Sequence, residues 1–462
     1  MLDFDDMTAI QNILADQRQF FNSARTKDLD FRLENISRLK KAIIQNEAAI
    51  LEALRNDLYK PAYEGYLTEI GLVLTEIRFV SRHLRSWVKP RKVRTPYFLW
   101  FGSSAIHPEP YGISLIISPW NYPLHLTMLP LIGSIAAGNC TIIKPSEYAP
   151  HTAAIISEII ERHFDSHYVA VIEGDAQTSK DLLKNRFDYI FFTGSQTVGK
   201  IVMSAAAKNL TPVTLELGGK NPCIVDQDVN IDLAARRIAS GKFINGGQTC
   251  TAPDYLLVHQ SNKQKLLDKI KVYLRKFYGE DPHKSPDYVR IINKLQFDRL
   301  AALLDKGDKV VGGQTDPDDL YIAPTLLQNV SWNDPVMQDE IFGPILPVLV
   351  FKDLSEVVST INSRPRPLAL YFFSNQRNNH QRIIEEISFG GGCINDTLAH
   401  LINPHLPFGG AGSSGMGGYH GKASFDTFSH QKSIFRRWFN FDLPLRFPPY
   451  KNKLSILKHI LR

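Results

Sequence analysis

The chain has only four cysteines among 462 residues, and no two of them lie close together. Cys140, Cys223, Cys250 and Cys393 form no CxxC pair and show no Cys/His spacing of a zinc site, which excludes a disulfide framework and a resident metal. Free thiols fit a reduced, cytoplasmic location. No run of about 18 apolar residues occurs, so no spanning helix is expected. The acidic start, Met1-Leu-Asp-Phe-Asp-Asp-Met7, has neither the basic opening nor the apolar stretch of a signal peptide. The formal charge of +6 is spread without a dense basic run, which argues against a nucleic-acid partner. No internal repeat and no low-complexity segment is present. With a 44% hydrophobic fraction, this length suits about three domains of a soluble globular protein.

Residues 8 to 88 carry apolar positions at spacings of three and four, as in Leu33, Ile36, Leu39 and Ile43, and are read as helices. From about 97 to 117 the pattern turns extended. Strand and helix signals then alternate: Cys140-Thr-Ile-Ile143, a helix from His151 to Phe164, then Tyr168 to Ile172 and Tyr189 to Phe192. That alternation predicts an α/β fold with a parallel, doubly wound sheet. A second αβ series runs from about 219 to 393. Leu406 to Gly418 is too Gly-rich for regular structure, and Ala423 to Phe435 reads as extended.

The most informative stretch runs from Phe243 to Pro253, through Asn-Gly-Gly-Gln-Thr-Cys250. A small, Gly-rich backbone presents one thiol that a planar carbonyl can approach, as covalent thiol catalysis requires. Most lone cysteines are small buried hydrophobes, and Cys140 and Cys223 read that way. Five further motifs are candidates. Ile117-Ser-Pro-Trp120-Asn121-Tyr-Pro123 follows a strand and puts an amide where it can donate to an oxyanion; alone, it reads as a turn first. Lys144-Pro-Ser-Glu147 suits ribose hydroxyls or a helix start. Thr193-Gly194-Ser195-Gln-Thr-Val-Gly199 offers glycines and a helix N-terminus to a pyrophosphate, but is not GxGxxG. Leu215-Glu216-Leu-Gly-Gly219 sets a carboxylate among apolar residues as a general base, or as an ordinary strand-end Glu. Asp339-Glu340-Ile-Phe342-Gly-Pro344 is a site or a charged turn.

In this order, the five motifs and Cys250 resemble the NAD(P)-dependent aldehyde dehydrogenase superfamily over nearly the whole chain. The Gly-Gln-Thr-Cys-x-Ala-Pro-Asp form and His405-Leu-Pro-Phe-Gly-Gly410 resemble its class 3 branch, which includes fatty aldehyde dehydrogenases. Gly410-Ala411-Gly412-Ser413 departs from the branch, which more often has Val and Asn there, and the departure points to the substrate entrance. The resemblance implies Cys250 as nucleophile, Asn121 as oxyanion donor and Glu216 as the base that activates water. It implies cofactor contacts from Trp120, Lys144, Glu147, Gly194, Ser195, Gly199, Glu340 and Phe342. NAD is the expected cofactor, with NADP as an alternative. It also implies an NAD(P)-binding domain of residues 1–96 and 112–218, a catalytic domain of 219–393, a bridging sheet of 97–111 and 423–437, and a Gly-rich return segment of 394–422. A homodimer is expected. Release of the acyl group to coenzyme A is the alternative reaction, against which Glu216 argues. A catalytically silent protein on the same scaffold is the alternative class.

Residues 438–462 form a basic tail. On a helix, Leu454, Ile456, Leu457, Ile460 and Leu461 share one face, with Lys453 among them where it would snorkel. Such a helix either lies on a membrane surface or packs on the protein. With the class 3 resemblance it points to long apolar aldehydes, fatty aldehydes or apocarotenals. Tyr122, Trp100 and Phe342 are candidates for the entrance, and no Arg is evidently placed for a substrate carboxylate.

Overall fold

A computed structural model describes residues 4–99, 101–439, 442 and 444–461. Two parallel sheets organise it. The first has six strands: Ile113–Ile117 (β3), Cys140–Lys144 (β4), Val169–Val171 (β5), Tyr189–Gly194 (β6), Val213–Leu217 (β7) and Gly415–Met416 (β17), in the order β17-β7-β6-β3-β4-β5. The second has seven: Pro222–Val225 (β8), Tyr255–His259 (β9), Asp308–Val311 (β10), Thr325–Gln328 (β13), Ile345–Phe351 (β14), Ala369–Phe373 (β15) and Gly391–Ile394 (β16), in the order β10-β13-β14-β9-β8-β15-β16. A two-stranded ribbon, Thr315–Asp316 (β11) and Tyr321–Ile322 (β12), lies beside it. Every pair in the first sheet is parallel except β17–β7, and every pair in the second except β10–β13. Helices cover both faces, so the strands read as continuous apolar runs; all five residues of β3, β4 and β9 are buried.

The chain order reverses at β3, which pairs with β4 on one side and β6 on the other. At such a switch point the loops after the strands part and leave a crevice. The loop from Ser118 to Leu124 leaves β3 there, and Ser195 leaves β6 to cap the helix Gln196–Ala207, its side chain accepting from Val198 N. Gly199, one turn into that helix, faces β7 instead of the crevice. A Cβ on it would meet Leu217 Cδ2 at 2.7 Å. Its smallness serves helix-to-strand packing, which a reading as a phosphate contact overlooks.

A third sheet combines Arg91–Val93 (β1), Gly102–Pro110 (β2) and Ser429–Arg437 (β18), all antiparallel, with β18 at an edge. Three local expectations change here. Arg91–Val93 joins this sheet instead of the cofactor domain, because it pairs with Ser104–Ile106. Tyr97–Leu99 is a 3-10 turn. Lys422–Thr427 is a helix and not extended: Lys422 pairs with Asp426 one turn on, and Phe425 is buried in the core. The Gly-rich segment also yields one short regular piece, Gly415–Met416 pairing with Glu216 and Leu215.

The basic tail ends in a helix, Leu454–Leu461. Lys453 does not snorkel along it; its Nζ turns back to the carbonyls of Pro444 and Phe447, which compete for the ammonium. Leu454, Ile456, Leu457 and Leu461 are all exposed. The Tyr97 hydroxyl donates to Ile460 O, so the helix rests against the turn before β2. Trp100 lies outside the described residues.

Asn139 ties these pieces together. Fully buried, it accepts from Gly112 N through Oδ1 (2.9 Å) and donates to Phe428 O (3.0 Å), linking the start of β3 to the start of β18. Asn139→Ala leaves a buried N–H and a buried carbonyl without partners, at a cost of about 2–3 kcal/mol. The expected outcome is a thermal unfolding midpoint several degrees lower, measured by calorimetry.

Candidate active site

Cys250 stands where two cavities meet and lines both of them. The loop that delivers it is shaped by Asn245, Gly246 and Gly247, three consecutive residues with φ of 52°, 59° and 71°. Left-handed backbone of this kind favours Gly and Asn over any β-branched residue. A Cβ on Gly247 would also meet Gly343 O at 2.3 Å. The loop therefore needs its glycines both for conformation and for close approach to the segment that carries Glu340.

Hydrogen bonds then lock the loop. Gln248 is fully buried; its Nε2 donates to Asn245 O and Arg290 O, and its Oε1 accepts from Ile292 N. Asn221 Nδ2 donates to Cys250 O (2.7 Å) and Ala252 O (3.1 Å). The Tyr371 hydroxyl donates to Thr251 O at 2.6 Å. From the first sheet, Asn121 Nδ2 donates to Gln248 O (3.1 Å), and the Tyr122 hydroxyl is 2.7 Å from Thr249 Oγ1. Asn121 thus approaches the thiol loop from the opposite sheet with a buried amide donor. Gln248, Asn221, Tyr122 and Tyr371 are supports that sequence reasoning missed. The Gln in Gly-Gly-Gln-Thr-Cys was the one visible signal among them.

On one side of Cys250 lies a cavity of about 710 Å³, lined by Trp120, Asn121, Gly194, Ser195, Glu216, Glu340 and Phe342. Trp120 meets Phe342 edge to face, ring centroids 5.3 Å apart. Phe342 holds a φ of 52°, a strained value for a large side chain, as residues at functional sites often do. Glu340 sits so closely over Gly218 that any Cβ there would overlap its carboxyl. Lys220, Arg299, Arg364 and Arg366 also line this space. Ser413 lines it too, so the Gly-rich loop's departure belongs to this cavity and not to a substrate entrance, because β17 folds back on β7. Lys144 and Glu147 lie outside its wall. Lys144 Nζ is buried and donates to Pro145 O (2.7 Å) and Glu147 Oε2 (3.4 Å), one strand over from β3.

A nicotinamide dinucleotide fits these residues. Glu216 keeps both carboxyl oxygens, and Thr193 its hydroxyl, buried without a hydrogen-bond partner at this wall. The N-terminus of the helix capped by Ser195 lies at this wall and suits an anionic pyrophosphate, whereas the Lys220 ammonium is taken up by Asp254 and the carbonyls of Val336 and Asp339, and Arg299 by the carbonyls of Glu340 and Ile341.

On the other side lies a cavity of about 650 Å³ with predominantly apolar walls, including Leu72, Tyr122, Leu126, Leu398, Phe408 and Tyr419. Of the aromatic residues expected at the entrance, Tyr122 is here and Phe342 is in the other cavity. The wall also includes Arg236 and Arg237, which sequence reading did not identify because they lie on the helix Ile231–Phe243, before the thiol loop. Arg237 is occupied by Asn395 O and Asp396.

The electrostatics follow from burial. Loss of water pushes the Cys250 thiol up to about 12, with Glu340 and Glu216 adding to the effect. Burial raises Glu216 well above the usual carboxylate range. Glu340 moves up to about 8, through burial first and Asp254 beside it second. The resting site is therefore a thiol next to protonatable carboxyls, and it lacks the cationic partner that would depress a thiol.

The aldehyde dehydrogenase family pattern matches residues 5–434. The 4,4'-diaponeurosporen-aldehyde dehydrogenase of Staphylococcus aureus is 51% identical over 98% of this chain and 99% of its own length. Aldehyde dehydrogenase family 3 member B1 of Rattus norvegicus is 45% identical over 97% of this chain and 96% of its own. A solved substrate-bound state of Staphylococcus aureus AldH superposes with a TM-score of 0.96, at 50% identity, covering 98% of this chain and 99% of that one.

A thiol raised this far ionises only progressively across the neutral and mildly alkaline range. Iodoacetamide alkylation of Cys250 in the cofactor-free protein should therefore accelerate about tenfold per pH unit from pH 7 to 9. Peptide mapping of the alkylated residue checks this; a rate already flat at pH 7 would contradict it.

Proposed function

This chain belongs to the aldehyde dehydrogenase family, in its class 3 branch, and we propose that it oxidises long apolar aldehydes, fatty aldehydes or apocarotenals, to carboxylic acids. It is an NAD(P)-dependent oxidoreductase acting on aldehydes. The observation that carries the finer reading is the apolar cavity of about 650 Å³ that opens directly on Cys250. An aldehyde with a hydrocarbon body gains about 25 cal/mol for each Å² of apolar surface that it buries there.

In this reading Cys250, after losing its proton to solvent, attacks the carbonyl carbon as the thiolate: the C–S bond forms as the C=O π bond breaks and its electron pair moves to oxygen. Asn121 Nδ2 and the Cys250 backbone N–H hold the resulting oxyanion; the Asn121 amide carries two N–H groups, so one keeps its bond to Gln248 O while the other is given to the oxyanion. A nicotinamide held beside Glu340 and Phe342 would supply the acceptor for the hydride lost from this carbon, which leaves a thioester on Cys250. Glu216 takes a proton from water, which cleaves the thioester to the acid and the free thiol. A carboxyl raised by burial is well matched to that task, and its unpartnered oxygens leave room for a water. The same feature argues against release to coenzyme A.

Glu340 and Phe342 are assigned to the nicotinamide ribose and ring, with Trp120 beside them. Gly194 and Ser195 are assigned to the pyrophosphate. Lys144 and Glu147, at the end of β4, are assigned to the adenosine ribose. Glu147 favours NAD over NADP, because its carboxylate would repel a 2′-phosphate. Residues 1–96 and 112–218, apart from the strand Arg91–Val93, form the cofactor unit in this scheme, and 219–393 carry the thiol. The β2–β18 sheet bridges to a second subunit: β18 is an edge strand with Ile434 and Phe435 exposed, so it offers a homodimer a partly apolar pairing surface.

No helix among the described residues is long and apolar enough to cross a membrane. The exposed apolar face of Leu454–Leu461 and the bases around it favour peripheral attachment to an anionic lipid surface from a cytoplasmic location.

Cys250→Ala should abolish NADH formation while leaving the circular dichroism spectrum and cofactor binding unchanged. Glu216→Gln should still acylate but lower steady-state turnover by about 10²- to 10⁴-fold, with a burst of NADH equal to the enzyme concentration in stopped-flow absorbance. Turnover by the Cys250 variant would refute the mechanism. Deletion of residues 443–462 should weaken sedimentation with anionic liposomes and reduce activity on aldehydes of sixteen or more carbons, a length of roughly 20 Å at about 1.25 Å per methylene, more than on hexanal. Equal losses on both would assign the tail to packing.

A further inference from the structure

Lys60 and Glu69 form an ion pair at 2.7 Å in which both side chains are completely buried. Such a pair is weak evidence for stability, because its desolvation offsets most of its attraction. Neither residue lines the cofactor cavity, and neither is among the walls of the apolar one.

The bonds the pair makes beyond itself converge on one loop. Lys60 Nζ also donates to the backbone carbonyl of Asn121 at 3.3 Å. It lies 4.4 Å from the centroid of the Tyr122 ring, whose hydroxyl meets Thr249 next to Cys250. Glu69 Oε2 accepts from Leu124 N and His125 N, both at 3.0 Å, where the buried helix His125–Ala137 begins. Its carboxylate caps that helix from outside and faces its positive end. Asn245 Nδ2 supplies a second donor to Asn121 O at 2.9 Å. Glu69 itself sits in a single π-helical turn, Tyr66–Ile70, a local deviation frequent at functional sites. One ion pair therefore grips the loop from Asn121 to His125 at both ends.

We propose that Lys60 and Glu69 are positioning residues for the oxyanion donor, fixing the Asn121 amide relative to the Cys250 thiol in the acylation step. The inference rests on the reading of Asn121 as that donor. The physical argument is geometric. Oxyanion donors act only within a few tenths of an ångström of their proper place, and Asn121 lies on an irregular loop between Pro119 and Pro123. Lys60 holds the main chain of Asn121, and Glu69 holds the helix that ends the loop, so the side-chain amide has one direction to point. The chain keeps a buried charge pair here because an apolar pair of equal volume offers no bonds to Asn121 O, Leu124 N or His125 N.

Two reactions at the same sulfur separate positioning from general damage. p-Nitrophenyl acetate acylates Cys250 through a tetrahedral oxyanion and needs no cofactor. Iodoacetamide alkylates it by displacement, with no oxyanion. The double variant Lys60→Met/Glu69→Leu removes both charges and keeps the volume, so it is the form expected to fold; Glu69→Gln is a second, nearly isosteric variant. Acylation should fall about 100-fold in the double variant and about tenfold in Glu69→Gln. Alkylation should stay within about threefold of the parent rate in both. A folded double variant that acylates at the parent rate overturns the proposal, and so does an equal loss in both reactions. Asn121→Ala is the control for the underlying reading: normal acylation by it removes Asn121 as the donor, independently of Lys60 and Glu69.

Discussion

The structure depends on one hydrogen-bonded knot between two sheets. Asn121 leaves β3 of the first sheet, and Gln248 precedes the thiol whose loop is anchored to the second. Asn121 donates to Gln248 O, and Asn245 donates to both Asn121 O and Gln248 O. All three residues are buried, so these bonds have no competition from water and cannot be exchanged cheaply. A cavity lies on either side of this knot, and Cys250 lines both. One carries charged side chains of both signs, Glu216, Glu340, Arg299 and Arg366 among them; the other is mainly apolar. The two share Leu126 as well as Cys250, so both spaces reach the same sulfur.

Burial sets the chemistry of this junction. Cys250, Glu216 and Glu340 are all raised by lack of water, and each of the two carboxyls opposes ionisation of the thiol. Cys250 therefore rests as a thiol, which also protects it from oxidation through thiolate chemistry. Lys60 is the contrasting case. It is buried as deeply, but it has a carboxylate, a carbonyl and an aromatic face around it. Its charge is fully occupied in holding a loop.

How much was legible follows from the distance over which each signal acts. The thiol loop could be read because part of its requirement is local: Gly-Gly before Gln-Thr-Cys serves a left-handed backbone that favours Gly whatever packs around it. The parallel sheets were legible from their short apolar runs, which need no knowledge of partners. The segment from 423 was misread as extended because its helix depends on Phe425 reaching a core that is built by residues far away in the chain. Arg236 and Arg237 were invisible as cavity residues because nothing on their own helix reveals what faces it. Lys60 and Glu69 looked like ordinary charges on a helical stretch, since a sequence does not reveal that a charge will be buried against a loop 55 to 61 residues away.

By itself, then, the sequence determined the family, through six motifs in order along nearly the whole chain, and the alternation of strands and helices. Each motif and each strand or helix is encoded in short runs of residue types, where backbone preference and apolar periodicity operate. Tertiary structure alone decided which side of Cys250 is apolar, that Ser413 belongs to the cofactor side, that Gly199 serves packing, and that a remote ion pair holds Asn121. Those outcomes depend on which surfaces meet when two sheets pack, and hydrogen bonds and burial between distant segments are set only by that meeting.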